Sequence, residues 1–443
     1  MTNALAAIEV RRVNAARRLV SIFAETLDLD LSVALWDGST IPLGREVQSS
    51  YRIVIENAGV LSSLIRRPTL DNLALHYARG SLTIEGGDLL GFIRAAESGR
   101  GFKKLRRMPK WRTLRAAFGV ARTRPEHAAH RAALRGDGEN TTDAAVTIDE
   151  RLVRFHYDIG NEFYALFLGD EMQYSCGYFE DPSVDLDTAQ DAKLDRICRS
   201  LRLKRDERLL DVGCGWGGLI CHAARRYGVR AHGLTLSKEQ YEYSLEKIGK
   251  LGLEDRVSVE LSDYREVDVS REGVYDKIAS IEMSEHIGVA AYPDYFRKLR
   301  SVLREDGLIL NQATTRRAKR TVPRSRRLRA GSKLMERHVF PGFELDHVGN
   351  TISAIEGARF EVQQVIGWRE HYARTTEIWY RRLWDRRREA ETIVGEEKIR
   401  LWLAYLAGVA TAFQIGSLRV YQIVASKPGS SRSARTKADE TLG

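Results

Sequence analysis

The stretch LLDVGCGWGGL, residues 209–219, decides the fold of this chain. It opens with a short apolar run that lacks helical spacing, which is typical of a buried parallel strand. Glycines follow at Gly213, Gly215, Gly217 and Gly218. They permit a sharp turn and bring bare backbone against a ligand before a helix begins. The last glycines lie closer together than the dinucleotide pattern G-x-G-x-x-G requires, so this loop alone does not identify its ligand.

From residue 208 onward, predicted strands alternate with predicted helices. The strands cover residues 208–212, 229–234, 257–261, 276–281, 308–312, 360–365 and 417–425. The helices between them cover 218–227, 238–249 and 291–304, and an aromatic and basic helical insertion is expected at 374–413. This alternation predicts an α/β fold with a doubly wound sheet, whose ligand site lies at the carboxyl ends of the strands.

The N-terminal residues 1–122 are predicted to form a separate small α+β domain. Its predicted elements are a helix over 1–30, a strand pair over 31–43, a strand over 51–56, a helix over 70–78, a strand over 82–85 and a helix over 89–96. Residues 123–147 are rich in small and polar residues without periodicity, which favours a linker. The catalytic domain is expected at 148–430, and a disordered tail at 431–443.

Composition limits the class of protein. The chain has 443 residues, of which 43% are hydrophobic, and no apolar run approaches the roughly 18–20 residues that span a bilayer. Arg17 and Arg18 interrupt the first apolar stretch, so neither a signal peptide nor an anchor is expected. The four cysteines lack CxxC spacing, which argues against a metal site or a disulfide framework. A cytoplasmic protein fits these features.

The net charge of +10 is concentrated in two segments without acidic residues, 102–115 and 316–329. Two such segments indicate a polyanionic partner, either nucleic acid or an anionic membrane. Solvated basic loops are the alternative. Charge alone does not choose between these interpretations.

Several polar residues follow the predicted strands. The second strand ends in GLTLS, residues 233–237, without an acid at its tip for a ribose. Asp263 and Tyr264 follow the third strand, where they could hold an adenine amino group. The segment IEMSEHIG, residues 281–288, puts Glu285 at the mouth of the sheet. Upstream, residues 156–178 are too aromatic and polar for a plain core helix.

Together these motifs resemble the cyclopropane fatty-acyl-phospholipid synthase family of S-adenosylmethionine-dependent methyltransferases. The matching motifs are HYDIGNEFY (156–164), MQYSCGYF (172–179), LLDVGCGWGG (209–218), GLTLSKEQ (233–240), EHIG (285–288), FPG (340–342), HYARTTEIW (371–379) and FQIG (413–416). The resemblance covers about residues 152–427. It implies a class I methyltransferase fold with a helical lid insertion.

The resemblance also implies which residues bind the cofactor S-adenosylmethionine. Backbone glycines and an aromatic ring would hold its methionine part, polar side chains its ribose, and an acidic and an aromatic residue its adenine. The corresponding positions are Gly213, Gly215 and Tyr174 for the methionine part, Thr235 and Gln240 for the ribose, and Asp263 and Tyr264 for the adenine.

Members of the family bind a bicarbonate ion beside the sulfonium, at positions that match Cys176, Glu285 and Tyr372. The resemblance therefore implies that bicarbonate removes a proton in the reaction. A packed thiol at Cys176 and a core aromatic at Tyr372 are the alternatives. Many members have histidine where this chain has Gln312, and glutamine can hydrogen-bond the ion without sharing its proton. This difference leaves the product open.

The leading hypothesis is methyl transfer to the cis double bond of unsaturated phospholipid acyl chains, which gives a cyclopropane ring. A methylene- or methyl-branched acyl chain is the alternative product. The basic segments would dock on an anionic membrane, with the enzyme peripheral on the inner membrane face and the N-terminal domain as a lipid-handling or docking unit. A homodimer is expected.

Two other classes of protein fit the sequence less well. A nucleic-acid methyltransferase would use the same sheet and charge, but the chain lacks an asparagine–proline–aromatic loop for a flipped base. No nucleic-acid partner is therefore expected. A non-catalytic lipid carrier is disfavoured because the glycine loop, Glu285 and Tyr372 are all present.

Overall fold

The computed structural model describes residues 2–98, 110–121, 159–318 and 344–428. These fall into two compact units. The first holds the described residues up to 121 together with 376–415, and the second holds 159–318, 344–375 and 416–428. The predicted linker, the predicted tail and the FPG motif lie outside the described residues.

The described helices and strands alternate in the central part of the chain, from Arg208 to Arg316. The helices are α1 (Thr2–Leu27), α2 (Ala58–Arg66), α3 (Leu70–Ala78), α4 (Leu89–Ser98), α5 (Lys110–Ala121), α6 (Asn161–Ala165), α7 (Leu186–Ser200), α8 (Gly218–Tyr227), α9 (Lys238–Leu251), α10 (Val269–Glu272), α11 (Ser284–Ile287), α12 (Tyr292–Val302), α13 (Val348–Gly357), α14 (Arg369–Asp385), α15 (Arg387–Val394) and α16 (Glu396–Gln414). The strands are β1 (Ser32–Ala34), β2 (Thr40–Pro42), β3 (Arg52–Ile55), β4 (Leu82–Glu85), β5 (Arg208–Val212), β6 (Arg230–Thr235), β7 (Val257–Leu261), β8 (Tyr275–Ile281), β9 (Leu303–Arg316), β10 (Glu361–Gly367) and β11 (Leu418–Ser426).

The first unit is an α+β structure, as predicted. Its four strands form a sheet in the order β2-β1-β3-β4. Residues 376–415, which the sequence analysis counted in the catalytic domain, group with this unit. The Arg94 guanidinium donates two hydrogen bonds to the Glu377 carboxylate, and the Leu90 N–H donates to the Tyr380 hydroxyl at 3.2 Å. These contacts join the insertion to α4.

The second unit is built on a seven-stranded sheet in the order β10-β11-β9-β8-β5-β6-β7. The run from β9 to β7 is parallel, and β11 is antiparallel to both of its neighbours. All seven strands were predicted, although β9 is much longer than expected. Helices cover the two faces of the sheet, where separate apolar clusters pack. The predicted doubly wound fold is confirmed.

Strand β5 lies at the centre of this sheet because its side chains are apolar on both faces. Leu209, Leu210 and Val212 are buried, and they belong to the clusters on the two sides. Cys198 and Cys221 lie in one of these clusters, as predicted for core residues. Among the described residues, the helices are all too short or too polar to cross a membrane.

Candidate active site

The loop between β5 and α8 turns on glycines in the left-handed region. The φ angles are +80° at Gly213, +55° at Gly215 and +77° at Gly217. A Cβ atom at Gly213 would lie 2.3 Å from the Met283 sulfur, whereas a Cβ atom at Gly215 would meet no atom within 4 Å. The protein itself therefore requires glycine at position 213, while at 215 the space beside the backbone is open.

A cavity of about 170 Å³ opens where β5, β6 and β8 end. This is the edge at which a doubly wound sheet binds its ligand. The structure brings all seven predicted cofactor-binding residues into the wall of this cavity, namely Tyr174, Gly213, Gly215, Thr235, Gln240, Asp263 and Tyr264. Their individual contacts with the cofactor stay predictions.

Asp211 in the same wall was missed by the sequence analysis. Its side chain is buried, and its Oδ1 atom has no hydrogen-bond partner among the described residues. Burial raises the pKa of Asp211 to about 7, and the Lys193 cation opposes this rise. A buried acceptor without a donor fits an ammonium group, so the cavity fits the amino-acid part of S-adenosylmethionine. The signal in the sequence was an acid inside an apolar strand.

The polar residues after β6 form a preorganised pair. The Thr235 hydroxyl donates to the Gln240 side-chain carbonyl at 2.8 Å, and the Ser237 hydroxyl caps α9 by accepting from the Gln240 N–H. Both side chains are buried at the cavity wall. Thr235 and Gln240 are therefore fixed before any ligand binds.

After β7, Asp263 and Tyr264 are held by neighbours. The Asp263 carboxylate accepts two bonds from the Arg265 guanidinium, at 2.7 and 2.8 Å. The Tyr264 ring stands edge-on to Tyr295, with the ring centroids 4.8 Å apart. Both residues line the cavity, and the Asp263 carboxylate is already paired with the Arg265 cation.

Glu282, which the sequence analysis left without a role, lies at the centre of the predicted catalytic residues. It is the first residue after β8, and it lines the cavity. Its carboxylate accepts from the Tyr372 hydroxyl at 2.6 Å, from the Gln312 amide at 3.1 Å and from the backbone N–H of Cys176. Burial raises the pKa of Glu282 to about 7, and the bonds from Tyr372 and Gln312 oppose this rise.

The four predicted catalytic side chains lie behind this wall. Within the described structure, Cys176, Glu285, Gln312 and Tyr372 do not line the cavity. The Cys176 thiol is buried and donates to the Gly177 carbonyl at 3.2 Å. Burial first, and the Glu282 charge second, hold the pKa of this thiol well above its usual range. The Cys176 thiol is therefore packed and neutral in this structure, and its role in the reaction stays a prediction.

Glu285 is a second buried carboxyl on α11. Its Oε1 atom accepts from the Thr314 N–H, and its Oε2 atom has no partner among the described residues. Burial and the neighbouring Glu282 charge raise the pKa of Glu285 to about 8. Since the Lys193 cation favours the charged form of Glu282 while the Glu282 charge opposes that of Glu285, we infer that Glu282 ionises first and that Glu285 is protonated at neutral pH. A catalytic role for Glu285 stays a prediction.

Replacing Glu285 by glutamine should make the protein relatively more stable as the pH rises. In the folded state this carboxyl holds its proton up to about pH 8, whereas the unfolded carboxyl loses it near its ordinary value of 4.5. A raised folded pKa gives stability that is complete below the unfolded pKa and is lost on the way up to the folded pKa. The free energy of unfolding of Glu285→Gln, minus that of the wild type, should therefore increase by up to about 1.4 kcal/mol per pH unit across this window. Urea unfolding at pH 5 and pH 8 measures this gain, and an equal difference at both values would contradict the assignment.

Lys193 on α7 is a buried cation in the cavity wall. Its ammonium group donates to the side chains of Gln173, at 2.5 Å, and Ser175, at 3.0 Å. Burial lowers the pKa of Lys193 to about 8, and the Glu282 charge opposes this shift. Lys193 occupies a position of the apolar face of α7, seven residues after Leu186. A lysine at a core position was the signal that the sequence offered.

The fold and the site together define the class of protein. A seven-stranded sheet with this glycine loop and this cavity is that of a class I S-adenosylmethionine-dependent methyltransferase. The chain belongs to the mycolic acid cyclopropane synthetase family, whose family model matches residues 145–423.

Two solved structures support this assignment. The chain is similar to the cyclopropane synthase MmaA2 from Mycobacterium tuberculosis, with a TM-score of 0.60 and 29% identity over 64% of this chain and 100% of that one. It is also similar to the mycolic acid cyclopropane synthase CmaA1, which was solved with S-adenosylhomocysteine. That match has a TM-score of 0.59 and 30% identity over 64% of this chain and 99% of the other.

One curated relative extends the similarity to the N-terminal unit. A probable fatty acid methyltransferase from Pseudomonas putida is 36% identical over 91% of this chain and 93% of its own length. A probable fatty acid methyltransferase from Mycobacterium tuberculosis is 39% identical over 63% of this chain and 64% of its own length. The protein is thus an S-adenosylmethionine-dependent methyltransferase of a family that modifies lipid acyl chains.

Proposed function

We propose that this enzyme transfers a methyl group to the cis double bond of an unsaturated phospholipid acyl chain and forms a cyclopropane ring. The observation that carries the proposal is a single cavity wall that joins the cofactor loop to the buried carboxylate of Glu282. Asp211, Gly213, Gly215 and the Thr235–Gln240 pair would hold S-adenosylmethionine, which supplies an electrophilic methyl group.

The chemistry needs little more than alignment and a dry site, because an isolated double bond is a very weak nucleophile. Attack by the double bond leaves a carbocation on the acyl chain. Aromatic faces and a nearby carboxylate stabilise such a cation. The wall offers Tyr174, Trp216 and Tyr264 as aromatic groups and Glu282 as the carboxylate. Within the described structure, Tyr178 does not line this cavity, and the Arg196 guanidinium lies over its ring, with 4.6 Å from the guanidinium carbon to the ring centroid.

Labelled cofactor and defined lipids test the proposal. The purified enzyme is incubated with methyl-labelled S-adenosylmethionine and vesicles of dioleoyl phosphatidylglycerol, with the saturated lipid and single-stranded DNA as separate acceptors. We expect label only on the unsaturated lipid. Ozone should leave the product intact, since it cleaves a methylene branch but not a ring. Label on DNA, or none on unsaturated lipid, would overturn the proposal.

The bicarbonate ion implied by the resemblance does not fit the residues of this chain. Two of the donors that would hold the ion, the Tyr372 hydroxyl and the Gln312 side-chain amide, already donate hydrogen bonds to the Glu282 carboxylate. The Cys176 thiol donates a hydrogen bond to the Gly177 carbonyl, and the Thr314 N–H donates one to the Glu285 carboxyl. A further anion here would meet two carboxyls rather than a set of donors. We therefore derive no step through bicarbonate.

For the membrane partner, we propose that α5 docks the first unit on an anionic lipid surface. Trp111 is 84% exposed and Phe118 is 62% exposed. Arg115 is also exposed on this face, since positions 111, 115 and 118 repeat at helical spacing. The opposite face buries Val120 among residues of α1 and α2. Aromatic rings beside a basic side chain suit the boundary between lipid headgroups and acyl chains.

The described residues of the second basic segment, 316–318, contribute less to the proposed docking on a membrane. Arg316 pairs with Asp346 at 2.8 Å and donates to the Leu345 carbonyl, so it is held within the second unit. Most of this segment lies outside the described residues. A peripheral location on the inner membrane face and a homodimer stay predictions, and sedimentation velocity of the purified chain would test the second.

The double variant Trp111→Ala, Phe118→Ala should bind vesicles of anionic phospholipid about 30-fold more weakly, because burial of each ring stabilises the bound state by about 1 kcal/mol or more. The loss should persist at high salt, in contrast to the loss from Arg115→Ala, which salt screening should hide. Vesicle co-sedimentation at low and high salt measures both. Leu245→Ala, at another exposed apolar residue, is the matched control. Equal binding by the double variant and this control would exclude α5 as the docking surface.

A further inference from the structure

We propose that the carboxylate of Glu282 is the proton acceptor of the reaction, in the place where the resemblance implies a bicarbonate ion. The inference rests on the proposed methyl transfer to a double bond. Bicarbonate and a glutamate side chain share the part that matters here, a planar carboxylate with two oxygen atoms. In this chain that group is supplied by the protein.

The first support is the convergence of donors on Glu282. The Tyr372 hydroxyl, the Gln312 amide and the Cys176 backbone N–H all reach its carboxylate. Gln312 is oriented in turn by Gln422, whose side-chain amide donates to the side-chain carbonyl of Gln312 at 3.0 Å. Three residues expected to surround a bound anion thus surround a side chain of the protein.

The second support is the position of Glu282 at the cavity. It lines the cavity together with the cofactor loop, whereas Glu285 lies behind the wall. Its φ angle of +58° is unfavourable for a residue other than glycine. The Glu282 backbone N–H donates to the backbone carbonyl of Gln312 at 2.7 Å, and this hydrogen bond holds the conformation. Backbone strain of this kind persists where the surrounding structure enforces it, and it clusters at functional sites.

The third support is electrostatic. Burial brings the pKa of Glu282 to about 7, which is suited to a base that must ionise at neutral pH and still hold a proton. The Lys193 cation favours its ionisation, and the Glu282 charge in turn keeps the neighbouring acid Glu285 protonated. The Cys176 thiol is neutral and Tyr372 already donates to Glu282, so neither is suited to accept the proton.

The step balances with the groups already named. The π electron pair of the double bond forms the bond to the methyl carbon while the bond from that carbon to the sulfonium sulfur breaks. The sulfur keeps that electron pair, S-adenosylhomocysteine leaves, and a cation remains on the second carbon of the former double bond. A C–H bond of the added group then breaks, and its electron pair closes the ring. The proton goes to a carboxylate oxygen of Glu282, which becomes neutral and releases the proton to solvent after the product leaves. No further oxidant or reductant is needed.

The experiment compares the wild type, Glu282→Gln and Glu282→Gly in buffer stripped of carbon dioxide and in buffer with added bicarbonate. S-adenosylhomocysteine binding, measured by calorimetry, checks that each variant is folded. The wild type should turn over equally in both buffers. Glu282→Gln should bind the ligand normally and lose about 100-fold or more in turnover in both, since it cannot accept the proton. Glu282→Gly removes the carboxylate and opens space for an ion, so added bicarbonate should restore its turnover by about tenfold or more.

The outcomes separate this inference from the proposed function. A wild type that methylates unsaturated lipid only when bicarbonate is present would overturn the role of Glu282 and leave the proposed function intact. Near-normal turnover of Glu282→Gln would do the same. A wild type that labels no unsaturated lipid in either buffer would overturn the proposed function itself and, with it, this inference.

Discussion

Alanine at Gly213 is expected to abolish measurable binding of S-adenosylhomocysteine and to lower the free energy of unfolding by about 3 kcal/mol. The left-handed backbone accounts for about 1–2 kcal/mol of this loss. The rest comes from overpacking, because the new Cβ atom would lie 2.3 Å from the Met283 sulfur. Moving either group displaces the loop that lines the cavity. Calorimetry with the ligand and urea unfolding measure the two losses.

Two other glycines separate the causes. Gly252 ends α9 with a φ of +62° and has open space at its Cβ position. Gly252→Ala should therefore lose only the backbone contribution to stability and bind the ligand normally. Gly215 has the same open space but lines the cavity. Gly215→Ala should cost no more stability than Gly252→Ala and still bind the ligand about 100-fold more weakly, because its methyl group enters the ligand space.

The outcome that would contradict this assignment is specific. If Gly213→Ala and Gly252→Ala lost equal stability and both bound the ligand, the close approach to Met283 would have no energetic consequence. If Gly215→Ala bound the ligand normally, the ligand would not reach the backbone at that position. In either case the loop would act as a strand-to-helix turn only.

The fold could be predicted because its signals are local. Strands β5 and β7 begin and end where the sequence indicates, since short apolar runs between turn residues leave little choice of boundary. The long β9 could not be bounded from its own residues. It continues to Arg316 because β11 pairs with it over its whole outer half, and that partner lies about a hundred residues later in the sequence. The grouping of residues 376–415 with the first unit likewise depends on distant contacts such as Arg94 with Glu377.

The site was predicted in part for the same reason. Most of the cofactor residues lie at or just after the ends of their strands, so the topology brings these together. Glu282 and Glu285 lie three positions apart, and the sequence does not tell which one faces the cavity. The choice depends on Gln312 and Tyr372, which approach Glu282 from other elements. Asp211 and Lys193 were missed because the pattern of apolar residues predicts burial and not what a buried charge faces.

The buried cation of Lys193 links the two carboxyl groups at the cavity. Its charge favours the ionised forms of both Asp211 and Glu282. Since Asp211 is proposed to bind the cofactor and Glu282 to take the proton, both binding and turnover should depend on this one ammonium group. Its own low pKa, about 8, shows how weakly the buried charge is compensated.

Lys193→Met is therefore expected to move the acidic limb of the turnover–pH profile to higher pH by about one unit and to lower turnover at pH 7 about fivefold. The sign follows from the base: Glu282 acts when ionised, so turnover rises with pH through its pKa of about 7, and removal of a nearby cation raises that pKa. Binding of S-adenosylhomocysteine at pH 7 should weaken in parallel, because Asp211 holds its proton to a higher pH.

Lys277→Met provides the matched control. Lys277 is also a buried lysine of the same unit with a lowered pKa, but it lies near the start of β8, beside Glu207 and away from the cavity. Its loss should reduce stability without moving either pH profile. The contrary result is a Lys193→Met enzyme that turns over more slowly but has the same pH profile as Lys277→Met. That result would show that Lys193 only positions Gln173 and Ser175. A parallel shift of turnover and binding requires the charge itself, because a purely structural loss lowers both profiles without moving them along the pH axis.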